Sequence, residues 1–135
     1  MFYDFSFTIP TTATRADPEV KELKLTYGVV HKVTVSFAPG PHGQVHLIIR
    51  QGGHQVLPTN PDETFHYDNY AHVMEERIEL FEEPYTLKLE GWGVNCSYSH
   101  EVIVGIGILP PERFPEYQKA DTRLARLLQL VGIKG

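Results

Sequence analysis

In the run Val29-Val30-His31-Lys32-Val33-Thr34-Val35-Ser36-Phe37, side chains of opposite character take turns. Val29, Val33, Val35 and Phe37 fall on one side of an extended chain; Lys32, Thr34 and Ser36 fall on the other. Successive side chains of a strand point to opposite faces, so this spacing predicts a half-buried β-strand. The same rhythm recurs in Tyr3, Phe5, Phe7 and Ile9, in Leu23, Leu25 and Tyr27, in Val45, Leu47 and Ile49, and in Tyr85, Leu87 and Leu89. It is strongest in Val102, Val104, Ile106 and Ile108, where Gly105 and Gly107 occupy the opposite face and imply that something packs closely there.

Turn chemistry separates these runs. Ala38-Pro39-Gly40-Pro41-His42-Gly43 reads as a turn, and Gly52-Gly53 as a tight hairpin into a short strand around 55–57. Pro58-Thr59-Asn60-Pro61-Asp62-Glu63 reads as a loop, and 64–69 as a surface excursion. Segment 71–81 fits helical spacing through Val73, Arg77 and Leu80, but His72, Met74, Glu76, Ile78 and Leu80 fit strand spacing better. About eight strands with turn signals between them predict an all-β antiparallel sandwich. The loops are uneven and the first strand has no local hairpin partner, which favours a jelly-roll-like double sheet. After Pro110-Pro111 the period changes: Tyr117, Ala120, Leu124, Leu127, Leu128 and Val131 recur every three or four residues, predicting a short C-terminal amphipathic helix over 116–131, stopped by Gly132. The chain therefore divides into a sandwich over 1–110 and a proline-led linker and helix over 111–135.

The composition narrows the function classes. Net charge is −5, and the 12 Lys and Arg are scattered singly, which argues against nucleic acid as a partner. No window approaches the ~20 apolar residues of a membrane span, and the first residues do not read as a signal peptide. A single cysteine, Cys96, permits neither an intramolecular disulfide nor a cysteine-based zinc site. Cys96 has no histidine beside it in sequence and reads as a loop residue. These features point to a protein made in a cytoplasm.

Seven histidines raise the question of a metal. A cupin-like metalloenzyme needs a His-X-His pair followed by a Glu. Here the nearest pair is His42 and His46, and no Glu follows before Glu63. His46 alternates with Val45 and Leu47 and so points outward, while His31 shares a face with Val29 and Val33 and reads as a hydrogen-bonded core residue. The acidic run Glu75-Glu76, Glu79, Glu82-Glu83 lacks the Asp, Asn and glycine turn of a calcium loop and reads as a solvated strand face. No catalytic, cofactor-binding or metal-binding residue is assigned, and no cofactor is expected. Trp92, with Tyr85, Tyr98, Tyr67 and Tyr70, fits either an aromatic sugar platform or a packing contact. The candidate partner-binding residues are Leu124, Leu127, Leu128 and Val131 of the tail, with Trp92.

The strand pattern from Tyr3 to Leu109, with the loop Leu57-Pro58-Thr59-Asn60-Pro61-Asp62, resembles small jelly-roll-like auxiliary proteins of tailed bacteriophages, the capsid decoration (cement) and head–tail accessory proteins. That resemblance implies a non-enzymatic virion protein, made in the host cytoplasm. It would bind a protein shell or itself, as a trimer or another homo-oligomer. The alternatives are a carbohydrate- or surface-binding sandwich module and, third, a cupin-like metalloenzyme.

Overall fold

The structure, a computed structural model, describes residues 1–117. Eight strands follow in order: β1 (Phe2–Ile9), β2 (Glu19–Lys24), β3 (Gly28–Phe37), β4 (Val45–Gln51), β5 (His54–Leu57), β6 (Tyr70–Leu80), β7 (Thr86–Gly93) and β8 (His100–Leu109). They form two four-stranded sheets, ordered β1-β8-β3-β6 and β2-β7-β4-β5, with every pairing antiparallel. This is the double-sheet jelly roll. Segment 71–81 is a strand as far as Leu80, and its inward residues include Ile78 and Leu80, both buried.

The core lies between the sheets. Val33, Val35, Val102, Val104 and Ile106 line it from the first sheet; Leu23, Leu47, Ile49 and Leu89 line it from the second. All of these are fully buried. The outer face of the first sheet is covered differently. A Cβ at Gly105 would lie 2.5 Å from Cζ of Phe2, and one at Gly107 would lie 3.4 Å from its Cδ2. The two glycines thus leave room for the Phe2 ring to lie flat on the sheet.

The alternation in β3 breaks at one place. The register shifts between Val30 and Lys32, a β-bulge against both β6 and β8. The extra residue moves Val30, not Val29, onto the core face opposite Ile108. It also takes His31 off that face: the His31 Nε2 approaches Gly107 on the outer side, and its ring lies 6.0 Å from Phe114. His31 is therefore not a core histidine, because a bulge inverts the facing that strict alternation implies. The loop 64–69 departs from expectation too. Phe65 is buried and exchanges 2.9 Å backbone hydrogen bonds with Leu47 in both directions, adding a bridge at that point to the second sheet.

After β8 the chain makes a short 3₁₀ turn, Pro111–Arg113, and folds back over the outer face of the first sheet. Phe114 is 6% exposed, with the Arg77 guanidinium 4.4 Å above its ring. Arg77 Nε donates to Glu116 Oε1 at 2.6 Å, and Tyr117 meets Phe81 at 6.0 Å. The rest of the predicted helix, including Leu124, Leu127, Leu128 and Val131, lies outside the described residues.

Two substitutions test the core. Leu89→Ala should cost about 2–5 kcal/mol, read as a lower denaturation midpoint in urea. Val104→Asp should abolish soluble folding, because an unpaired carboxylate at that position has no water and no partner. A soluble, cooperatively unfolding Val104→Asp variant would refute the assignment.

Candidate functional site

The connections β1–β2, β3–β4, β5–β6 and β7–β8 belong to one end of the sandwich. Contacts between them support this grouping: Gly93 N donates to Ala13 O, Val94 N to Gln44 O, and Asn69 N to Ala38 O. Asp68 joins two of the loops more tightly. Its Oδ1 accepts from Gly40 N at 2.8 Å and His42 N at 3.0 Å. The His42 and then the Gly40 backbone donors hold this carboxyl below its ordinary value.

At this end, over the outer face of the second sheet, the side chains form a cleft of about 490 Å³. Strict alternation sends His46 of β4 and Trp92 of β7 outward from paired strands, opposite each other in register. Their rings stack with centroids 5.6 Å apart and planes 11° apart. The β1–β2 loop brings the Arg15 guanidinium to 5.7 Å from the indole centre. The β5–β6 loop places His66 at 5.1 Å from His46, and Thr64 Oγ1 at 2.7 Å from His46 Nδ1. Asp62 and Glu63 complete the rim, and Asp62 takes a left-handed backbone angle, φ 67°. The loop is held from below. The side-chain amide of Gln55 reaches the carbonyl oxygens of Pro58, Asn60 and Glu63 at 2.9, 3.4 and 3.1 Å. Beside the cleft, Arg50 Nε donates to Glu90 Oε2 at 2.8 Å and lines a smaller hollow of about 120 Å³.

Electrostatics here favour neutral imidazole. Partial burial, then the neighbouring His66 and Arg15, push His46 below its ordinary value. On the other sheet, burial first and Arg77 second do the same for His31.

Trp92, singled out in the sequence, is 6% exposed and forms the back wall of this cleft. The tyrosines considered with it do not gather around it. Tyr85 meets Tyr27, Tyr98 meets His100, and Tyr67 and Tyr70 pack with His72. The partners of Trp92 are instead Arg15 and His46, and sequence reasoning missed Arg15, His66, Asp62 and Glu63. The sequence signals were the outward facing of His46 and the lone Trp92; Arg15, His66, Asp62 and Glu63 converge on them through topology alone. Five of the seven histidines, His42, His46, His66, His72 and His100, lie at or near this end. Among the described residues, no three His, Cys, Asp or Glu side chains converge as metal ligands would.

No family model matches the chain, and no curated protein does. Among solved structures, one matching chain belongs to "Bacillus endospore appendages form a novel family of disulfide-linked pili". It is 12% identical, the match covers 82% of this chain and 88% of that one, and the TM-score is 0.47. A likeness at that level carries no functional argument.

The histidine shifts set a pH dependence. An unfolded imidazole takes up its proton near pH 6.5, whereas His46 and His31 in the folded protein resist until lower pH. Below about 6.5 the unfolded state then binds more protons, so stability falls as pH drops from about 6.5 through the folded values. Thermal melting in steps from pH 7.5 to 5 should show this loss, and a His46→Gln variant should show a shallower one. An unchanged slope in the variant would remove His46 from the account.

Proposed function

We propose that the protein is a non-enzymatic structural component of a phage virion, a jelly-roll body that carries a docking tail onto a capsid or head–tail assembly. The observation that carries the reading is the seating of Phe114 on the outer face of the first sheet, against Arg77 and His31. That contact brings the start of the tail beside β6, the edge strand of its sheet. The residues that follow in sequence carry the stripe Leu124, Leu127, Leu128 and Val131. A helix this short is marginal in water unless its apolar face is packed. Tyr70 and Val73 are exposed on β6, adding apolar surface to the same strand. The sequence resemblance to phage auxiliary proteins supports a protein shell, or further copies of this chain, as the partner.

The function on this reading is mechanical. Each Å² of apolar surface removed from water stabilises by roughly 25 cal/mol, so a modest contact repeated around a symmetric shell adds up. No chemistry and no cofactor are required of the sandwich itself.

The test is a truncation after Tyr117, which keeps Phe114 and the Arg77–Glu116 pair. Chain 1–117 should remain folded, with an unchanged urea midpoint, but should lose oligomer mass by light scattering and lose co-sedimentation with capsid particles. Mass spectrometry of purified virions should find the full chain. A full-length protein that is monomeric, ignores capsids and is absent from particles refutes the reading.

A further inference from the structure

We infer that the outer face of the first sheet receives the apolar stripe of residues 124–131 from a second copy of this chain. The inference rests on the reading of the C-terminal segment as a docking tail, and it names that tail's partner and seat.

The seat is defined by the strand register. Side chains on the outer face fall into rows across the four strands. Phe2, Gly107, Lys32 and Glu75 form one row. Asp4, Gly105, Thr34 and Val73 form the next, and Ser6, Ile103, Ser36 and Ala71 the third. The inner strands β8 and β3 thus present small side chains beside Ile103, which leaves a shallow strip. Phe2 and Val73 stand at its borders, 57% and 58% exposed. Apolar surface gathered in one strip, rather than scattered singly, is the form that docking sites take. The three rows span about 13 Å along the strands. Leu124 to Val131 at helical rise span about 10 Å, so the stripe and the strip match in length.

The charges match as well. Residues 118–135 carry Lys119, Arg123, Arg126 and Lys134 against Asp121, a net of +3. Residues 1–117 carry 8 basic and 16 acidic residues, a net of −8. Around the strip, Asp4, Glu75 and Glu101 are exposed, against the single exposed lysine Lys32. Arg77 is already engaged by Glu116. Arg123 and Arg126 flank Leu124 and Leu127 in sequence, so the segment brings positive charge to a negative border. Such complementarity steers encounter and fixes register.

The path of the chain selects the copy. Phe114 lies under Arg77, and further on Tyr117 lies against Phe81. Between those contacts the chain runs along β6 away from Val73 and Ala71. To cover the strip of its own body, the segment must reverse over Phe114 and Arg77. It meets the strip of another body without reversing. Each copy then offers one segment and one strip, and the contact closes as a reciprocal pair or as a ring.

The test traps the contact in the full-length protein. Two variants, both carrying Cys96→Ser, are mixed and oxidised: one has Val73→Cys, the other Leu127→Cys. We expect a disulfide-linked heterodimer in clear excess over the homodimers that either variant forms alone. Val73→Asp should lower the mass seen by light scattering to that of one chain, 15.4 kDa, with an unchanged circular dichroism spectrum. Val73→Leu should keep the oligomer. Heterodimer no more abundant than homodimer, or an oligomer that survives Val73→Asp, overturns the inference. So does a chain carrying both cysteines that links only within itself when diluted into excess Cys96→Ser protein. A full-length protein that is monomeric yet co-sediments with capsids overturns it too, and leaves the virion reading standing. A cross-linked oligomer that ignores capsids and is absent from particles supports the inference and removes the virion reading.

Discussion

The pairing of β1 with β8 is the constraint on which the rest of the molecule depends. Phe2 to Ile9 run residue by residue against Gly107 to His100, and Met1 and Ile108 add a backbone hydrogen bond of 2.7 Å beyond the register. This pairing turns β8 into an inner strand, flanked by β1 and β3, which is why Val102, Val104 and Ile106 are fully buried. It also carries Phe7 and Ile9 over to the opposite sheet. A Cβ at Gly91 of β7 would come within 2.6 Å of Ile9 and 2.9 Å of Phe7, so the sheets close at a point where only glycine fits. Of the six strand pairings, β4 with β5 alone joins neighbours in sequence. Most of the fold is therefore assembled from distant segments, the arrangement that makes β-sandwiches slow to fold.

The strands and their order of burial were legible because a two-residue apolar period has one physical meaning. It identified six strand segments directly, although β2 runs over Glu19–Lys24 and stops short of Leu25 and Tyr27; the Gly52-Gly53 turn marked β5, and in the ambiguous stretch 71–81 the run from His72 to Leu80 tipped the reading correctly. The period failed at His31, since a bulge adds one residue without leaving a composition signal and reverses every facing inferred across it. It failed at Phe65 for another reason. A single aromatic in a polar loop has no periodicity, and only the backbone exchange with Leu47 shows that it belongs to the second sheet.

The cleft was hardly legible at all. His46 and Trp92 become neighbours because β4 and β7 pair, and Arg15 and His66 arrive on loops that are remote from both in sequence. Nothing local marks residues 15, 46, 66 and 92 as a set. The tyrosines looked equally good partners for Trp92 in sequence, yet the topology sends Tyr85 toward Tyr27 and Tyr67 toward His72. Proximity of this kind is decided by which strands are neighbours, and residue type does not encode it.

The two outer faces of the sandwich carry different equipment. On the first sheet, Phe2 covers Gly105 and Gly107, and Phe114 lies against His31 beneath the Arg77 guanidinium, so that face carries aromatic groups from β1 and from the segment after β8. On the second sheet, the cladding is a polar rim of both charge signs around a recessed aromatic wall. Packed sheets lie about 10 Å apart, so the two outer faces are separate surfaces. The β1–β8 closure keeps the two faces in a fixed relation.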